Sequence, residues 1–193
     1  METKSLKLPN YQATLKSSCL DTPLGQMLAI ADEEVLYLLE FMDKIDLQYR
    51  VEKLLFKTKS ALIPGNTHPI ESIKAELSAY FDGSLQNFKT PVQLLGSPFQ
   101  KLVWNELVHI PYGQTRSYLE QAHAIEKQAA YRAVANANGA NQLAIVIPCH
   151  RIINSNGKLG GYSGGLSRKK WLLEHEKQYQ SSYNTANKVD LTS

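Results

Sequence analysis

Apolar and polar residues alternate at the first clear pattern in the chain, with Tyr11, Ala13, Leu15 and Cys19 on one side and Gln12, Thr14, Lys16 and Ser18 on the other. A period of two is the mark of a half-buried strand, and it predicts an inward, core position for Cys19. Residues 26–31 and 35–42 repeat the strand signal after the turns Asp21-Thr22-Pro23-Leu24-Gly25 and Asp32-Glu33-Glu34, so the opening reads as a three-stranded antiparallel meander. The period then becomes helical at Leu47, Val51, Leu54 and Leu55, and again at Ile70, Ile73, Leu77, Tyr80 and Phe81, with Asp82-Gly83-Ser84 as a stop. Residues 64–69 between these helices read as a loop. Nothing catalytic stands out before Leu94-Leu95-Gly96, and residues 1–95 are expected to form a supporting α/β domain with a small antiparallel sheet.

The second half changes character. Ser97-Pro98-Phe99-Gln100 carries a capping box and a proline at the first helical position. Phe99, Val103, Leu107 and Val108 then share a helix face until Pro111-Tyr112-Gly113 breaks it. Ser117 and Glu120 form a second capping-box pattern, opening a short helix to about Ala124. A third, alanine-rich helix is expected over residues 128–138, stopping at Gly139. Two short helices joined by a tight turn fit a helix-turn-helix, although helix pairs of this kind mostly serve as packing units. A last helix is expected over residues 166–176, capped by Ser167 and weighted by Trp171, Leu172 and Leu173, with a loosely held polar tail over residues 178–193.

The candidate chemistry sits in Ile145-Val146-Ile147-Pro148-Cys149-His150-Arg151-Ile152-Ile153. A free cysteine in an apolar run is most simply a core residue. A neighbouring histidine or arginine, however, lowers a thiol pKa and makes the thiolate nucleophile. Five of the chain's 11 glycines fall in residues 154–165, which suits either a flexible loop or a backbone lying against a ligand.

Charge sharpens this picture. Residues 1–95 carry 10 Lys/Arg against 12 Asp/Glu, and residues 96–193 carry 11 against 6, giving the net +3. Residues 127–173, which contain the Cys-His pair, hold seven basic residues and no acid, as expected of a surface for a polyanion. No apolar run approaches the roughly 20 residues of a membrane span. The first residues lack a signal-peptide core, and two cysteines make no disulfide framework, so a reducing cytoplasm is the expected location.

Taken together, Ile147-Pro148-Cys149-His150-Arg151-Ile152-Ile153, Arg132-Ala133-Val134, Asn138-Gly139-Ala140-Asn141, Gly161-Tyr162-Ser163-Gly164-Gly165 and Trp171-Leu172-Leu173-Glu174-His175-Glu176 closely resemble the O6-alkylguanine-DNA alkyltransferases. The resemblance covers residues 97–176. It implies a ribonuclease-H-like first domain and a mainly α, winged-helix-like second domain over residues 96–177 with a helix-turn-helix. No cofactor is expected, and although some relatives hold a structural zinc in the first domain, Cys19 and His68 lack evident companions, so no metal is assigned. The resemblance implies stoichiometric, irreversible transfer of the alkyl group of O6-alkylguanine, and of O4-alkylthymine, in double-stranded DNA to the protein's own cysteine. By position, Cys149 is the acceptor, His150 deprotonates it through a water, Glu176 orients that histidine, and Asn141 braces the turn before the cysteine. Tyr118 lies near the flipped base, Arg132 fills the gap it leaves, and Ser163 contacts the guanine oxygen. The carbonyls of Cys149 and Ile152 accept from the guanine amino group, and Tyr162, Ala133 and Asn138 belong to the same DNA-binding set. The resemblance further implies a monomer, alone or clustered along DNA, with no membrane partner. The chain departs from the family at Glu126-Lys127-Gln128, where Gly-x-Pro is usual, at Ala135 for glycine, and at Gln142 for proline. A DNA-binding module without chemistry and a cysteine hydrolase are the competing readings.

Overall fold

The computed structural model describes residues 13–189; Tyr11 and Gln12 of the first expected strand lie outside them. The meander forms as the alternation predicts, from β1 (Ala13–Leu20), β2 (Met27–Ala31) and β3 (Leu36–Phe41), paired antiparallel. A fourth strand, β4 (Ser60–Pro64), follows α1 (Leu47–Thr58) and pairs parallel to β1, so the sheet is mixed, in the order β3-β2-β1-β4. The expected loop over 64–69 narrows to residues 65–67: Pro64 ends β4, Thr67 caps α2 (His68–Phe81), and His68 and Pro69 are already helical. A short strand on the sheet edge tolerates its terminal proline, since that position needs no further donor.

Cys19 is exposed, against expectation. Both faces of this sheet are packed, so alternation does not separate core from solvent. Leu15, Ile30 and Leu38 meet Leu54 of α1 on one face. Leu20, Met27, Ala29 and Phe41 join the main core with α2 and the second half on the other. Cys19 pairs with Leu28 and follows the α1 face, but the helix does not cover it there.

The edge strand β3 carries the connection to the site. Leu39 donates to the Gln142 carbonyl and accepts from Ala144, both at 2.8 Å, while Leu36 takes hydrogen bonds from and gives them to the 91–93 segment. These pairings satisfy an edge that would otherwise offer unpaired backbone groups. They also fix the segment that leads into the cysteine. The Gln142 contact uses its carbonyl, which a proline there would offer equally.

In the second half, both capping boxes form as the sequence predicts, Ser97 with Gln100 at the start of α3 (Pro98–Val108) and Ser117 with Glu120 at the start of α4 (Tyr118–Ala124). Between α3 and α4 lies the two-residue strand β5 (Arg116–Ser117), which pairs parallel with β6 (Ile152–Ile153). The expected helix over 128–138 splits into a 3-10 turn, Gln128–Ala130, and α5 (Tyr131–Gly139). No side chain caps either start, and Glu126 ahead of them holds a left-handed φ of 57°, a conformation that favours the glycine usual in the family. Trp104 of α3 donates to the Ala137 carbonyl at 2.7 Å and locks α5 in place.

The last helix, α6 (Leu166–Val189), is longer than predicted and starts after Gly165, so Ser167 lies inside it rather than capping it. Its continuation past Glu176 is docked. Tyr179 packs against His175 at 4.8 Å, and Gln180 donates to the Tyr112 carbonyl at 2.8 Å. Gly83, at φ 85°, makes room for the Tyr179 ring, which a Cβ there would meet at 2.0 Å. The polarity of residues 178–180 therefore does not mark a loose tail.

Candidate active site and DNA-facing pocket

Cys149, His150 and Arg151 make a buried 3-10 turn between the 142–147 segment and β6. The approach to it is strained. Ile145 has φ 71°, an outlier for a β-branched side chain, and it is held by the β3 pairing on one side and by Ile147 donating to the Leu143 carbonyl on the other. Asn141 completes the turn: its side-chain oxygen accepts from Leu143 N at 3.0 Å, and its amide nitrogen donates to the Ile147 carbonyl at 2.8 Å and to Cys149 Sγ at 3.3 Å. The bracing role implied for Asn141 thus has its geometry, and one donor reaches the sulfur itself.

Behind the cysteine, His150 Nε2 lies 2.8 Å from Glu176 Oε1, with both side chains fully buried. This contact makes Nε2 the protonated nitrogen of a neutral imidazole. Nδ1 is buried and has no hydrogen-bond partner among the described residues. The carboxylate also takes Arg151 Nε at 2.9 Å, Arg151 Nη2 at 3.0 Å, the Gly113 backbone N–H at 3.0 Å and the Tyr80 hydroxyl at 2.9 Å. Burial works against the charge of Glu176, yet His150 and Arg151 hold its carboxyl well below the usual carboxylate range. Burial pushes His150 down, with Glu176 pulling the other way, so the ring rests neutral.

The sequence suggested that Arg151 activates the thiol. Its guanidinium instead faces Glu176 and the Ile110 carbonyl. Burial pushes the Cys149 thiol up, Asn141 lowers it through its hydrogen bond, and the nearby charges are Glu40, Lys44 and Lys169. Lys169 is buried on α6, donates to the carbonyls of Ile152 and Gly161, and is pushed down to about 8 by burial, with Cys149 pulling it up.

In front of Cys149 lies a pocket of about 440 Å³ lined by Tyr118, Arg132, Asn138, Tyr162 and Ser163, among others. That volume falls in the range of small-molecule sites. Tyr118 closes one wall and donates to the Gly161 carbonyl at 3.3 Å. Gly160, at φ 66°, has no room for a side chain beside Asn154 and Tyr118. Arg132 stands exposed on α5 with its guanidinium 5.6 Å from the Tyr131 ring centre, and Ser163 is exposed on the glycine loop. Tyr162 presents its ring edge to His150 at 6.4 Å, and its buried hydroxyl has no partner among the described residues.

Three residues implied as DNA-binding stand apart or already have partners. Ala133 is exposed on α5 outside the pocket. Asn138 reaches the pocket, but its amide donates to Gln121 at 2.7 Å and braces α5 on α4. Ile152 is buried, and its carbonyl already accepts from Lys169.

Sequence reasoning missed three contributors from outside the resembling segment or on its far side: Tyr80, Lys169 and Arg50. Arg50 of α1 donates to the carbonyls of Gly139, Ala140 and Asn141 at 2.8, 3.4 and 2.9 Å, and pairs with Asp46 and the buried Glu40. It therefore holds both the C-terminal end of α5 and the Asn141 turn. A lone arginine in an amphipathic helix gives no signal of such reach.

Both halves of the chain match known proteins. Residues 98–178 match the profile of the 6-O-methylguanine DNA methyltransferase DNA-binding domain, and residues 15–94 match that of its ribonuclease-like domain. A methylated-DNA–protein-cysteine methyltransferase of Mycobacterium leprae is 40% identical over 158 residues, covering 82% of this chain and 90% of that protein. The inducible methylated-DNA–protein-cysteine methyltransferase of Bacillus subtilis is 46% identical over 121 residues, covering 63% and 68%. The structure of Mycobacterium tuberculosis OGT in complex with DNA superposes with a TM-score of 0.72 at 38% identity, covering 86% of this chain and 94% of that one.

Proposed function

Since the chain belongs to the methylated-DNA–protein-cysteine methyltransferase family, which repairs DNA by alkyl transfer to a cysteine, we propose that Cys149 is the acceptor and O6-alkylguanine in duplex DNA the substrate. The observation that carries this reading is the position of Cys149. It has a His150–Glu176 pair behind it and a pocket lined by Tyr118, Tyr162 and Ser163 in front.

His150 Nδ1 takes the thiol proton through one water, which its uncommitted, buried lone pair supports. The thiolate attacks the sp3 carbon on the guanine oxygen. An S–C bond forms and the C–O bond breaks, its electron pair going to the guanine oxygen as the Ser163 hydrogen bond strengthens, and the guanine anion takes a proton from water. The product thioether has no bond that water cleaves readily, so each protein acts once. A raised thiol pKa suits this role, because a thiolate of higher pKa is intrinsically the stronger nucleophile once formed.

A stacked base does not reach this thiol, so the guanine is flipped at a cost of a few kcal/mol, and Arg132 fills the gap. Exposure of Arg132 and Ala133 on one side of α5 supports that helix as the element entering the minor groove. The Ile152 carbonyl has a second lone pair beside its Lys169 contact and accepts from the guanine amino group together with Cys149. On this reading residues 96–177 read and repair DNA while residues 1–95 support them, the protein works as a monomer, and O4-alkylthymine is a second substrate. Among the described residues no helix is long and apolar enough to cross a membrane.

The test is stoichiometry. With excess O6-methylguanine duplex, transfer should plateau at one methyl per protein. Continuing turnover would point to a hydrolase, and binding with no loss of lesion to a module without chemistry.

A further inference from the structure

We propose that Tyr80, from the supporting half of the chain, is a positioning residue of the transfer relay: its hydroxyl shares Glu176 Oε1 with His150 and sets how strongly that carboxylate pulls on the imidazole. The proposal rests on the Cys149–His150–Glu176 reading above.

Oε1 of Glu176 has three donors: Tyr80 Oη at 2.9 Å, His150 Nε2 at 2.8 Å and Arg151 Nη2 at 3.0 Å. Oε2 has two, Arg151 Nε and Gly113 N. Tyr80 is fully buried on α2, and its ring packs on Phe81, Phe88, Tyr112 and His175 at centroid distances of 5.4, 5.5, 6.0 and 5.4 Å. The hydroxyl thus leaves a largely aromatic cluster and points at the carboxylate. The titratable and charged groups around the pair are few. Cys149, Arg151, Tyr162, Lys169 and Glu176 surround His150, and Arg151, Tyr112, His175 and Glu176 surround Tyr80.

Tyr80→Phe removes the hydroxyl and keeps the ring. Glu176 then retains Arg151 and Gly113 on Oε2 and two donors on Oε1, so the carboxylate stays satisfied and the fold is preserved. The negative charge on Oε1 is less compensated, and the imidazolium of His150 is favoured. A proton leaves the ring only at higher pH. Because neutral His150 accepts the thiol proton, the acid limb of the transfer rate moves up. Partial transmission of the lost hydrogen bond to His150 gives a shift of about 0.5–1 pH unit.

The experiment measures single-turnover transfer from an O6-methylguanine duplex against pH for the unmodified protein, Tyr80→Phe and Glu176→Gln. NMR titration of His150 and DNA affinity are measured alongside. An upward shift of both limb and His150 titration in Tyr80→Phe, at unchanged DNA affinity, supports the proposal. A lowered melting temperature with an unmoved limb overturns it and leaves the relay intact, provided Glu176→Gln collapses transfer. If Glu176→Gln also leaves rate and limb unchanged, the relay reading fails, and the role of Tyr80 fails with it.

Discussion

Glu176 commits both carboxylate oxygens to donors inside the protein, whereas Arg132 and Ser163 stand exposed on the opposite wall of the pocket. The two regions meet at Cys149. Behind it, hydrogen bonds and ion pairs fix each group before any DNA arrives, as preorganised chemistry requires. In front, Arg132 and Ser163 face solvent, and on the proposed reading DNA supplies their partners. The contrast teaches that chemical competence belongs to the folded protein, while recognition is completed by the ligand. It follows that substitutions should separate cleanly into those that stop transfer and those that weaken encounter.

Cys149→Ala should have the largest effect, abolishing transfer in a single-turnover assay while duplex binding in a gel-shift assay persists. Loss of both together would erase the contrast. Glu176→Gln should slow transfer by about 100- to 10,000-fold at unchanged DNA affinity. It should also flatten the acid stability profile. The folded carboxyl titrates below its unfolded value, so its contribution is complete above about pH 4.3 and is lost as pH falls toward the depressed folded value. Thermal melts across that range, compared with the unmodified protein, check the sign.

Arg50→Met tests the joint between the regions. It leaves Glu40 buried with Lys44 alone and frees three carbonyls, which should cost about 3 kcal/mol in a denaturant titration. Both DNA affinity and transfer should fall, because one guanidinium holds α5 and the Asn141 turn. An effect on only one of them would show that the joint serves a single region. Arg132→Ala should have the smallest effect. Transfer from duplex should fall about tenfold, while transfer from free O6-benzylguanine, which needs no flipping, stays unchanged.

The same contrast explains what the sequence made legible. Capping boxes at Ser97 and Ser117 and the helical period of α2 act over a few residues, so they are readable in one dimension. The Cys149–His150 pair and its pocket were legible because their motifs fall in a fixed order. Cys19 was misread because a sheet packed on both faces has no single inner side. The strand β4 was missed because Ser60 and Pro64 interrupt its alternation, and its partner β1 lies far back in the chain. Tyr80 and Arg50 act across 96 and about 90 residues respectively, and in sequence they are an ordinary aromatic and an ordinary helix charge. Arg151 was assigned to the wrong partner because adjacency to Cys149 in sequence does not determine where a long side chain turns.

The most direct test of the central claim is peptide mapping of the protein after reaction with a duplex carrying an isotopically labelled O6-methyl group. The label should be recovered as a thioether on Cys149, in amount equal to the lesions lost. Lesions that disappear while Cys149 remains unmodified, or label found on another residue, would contradict it.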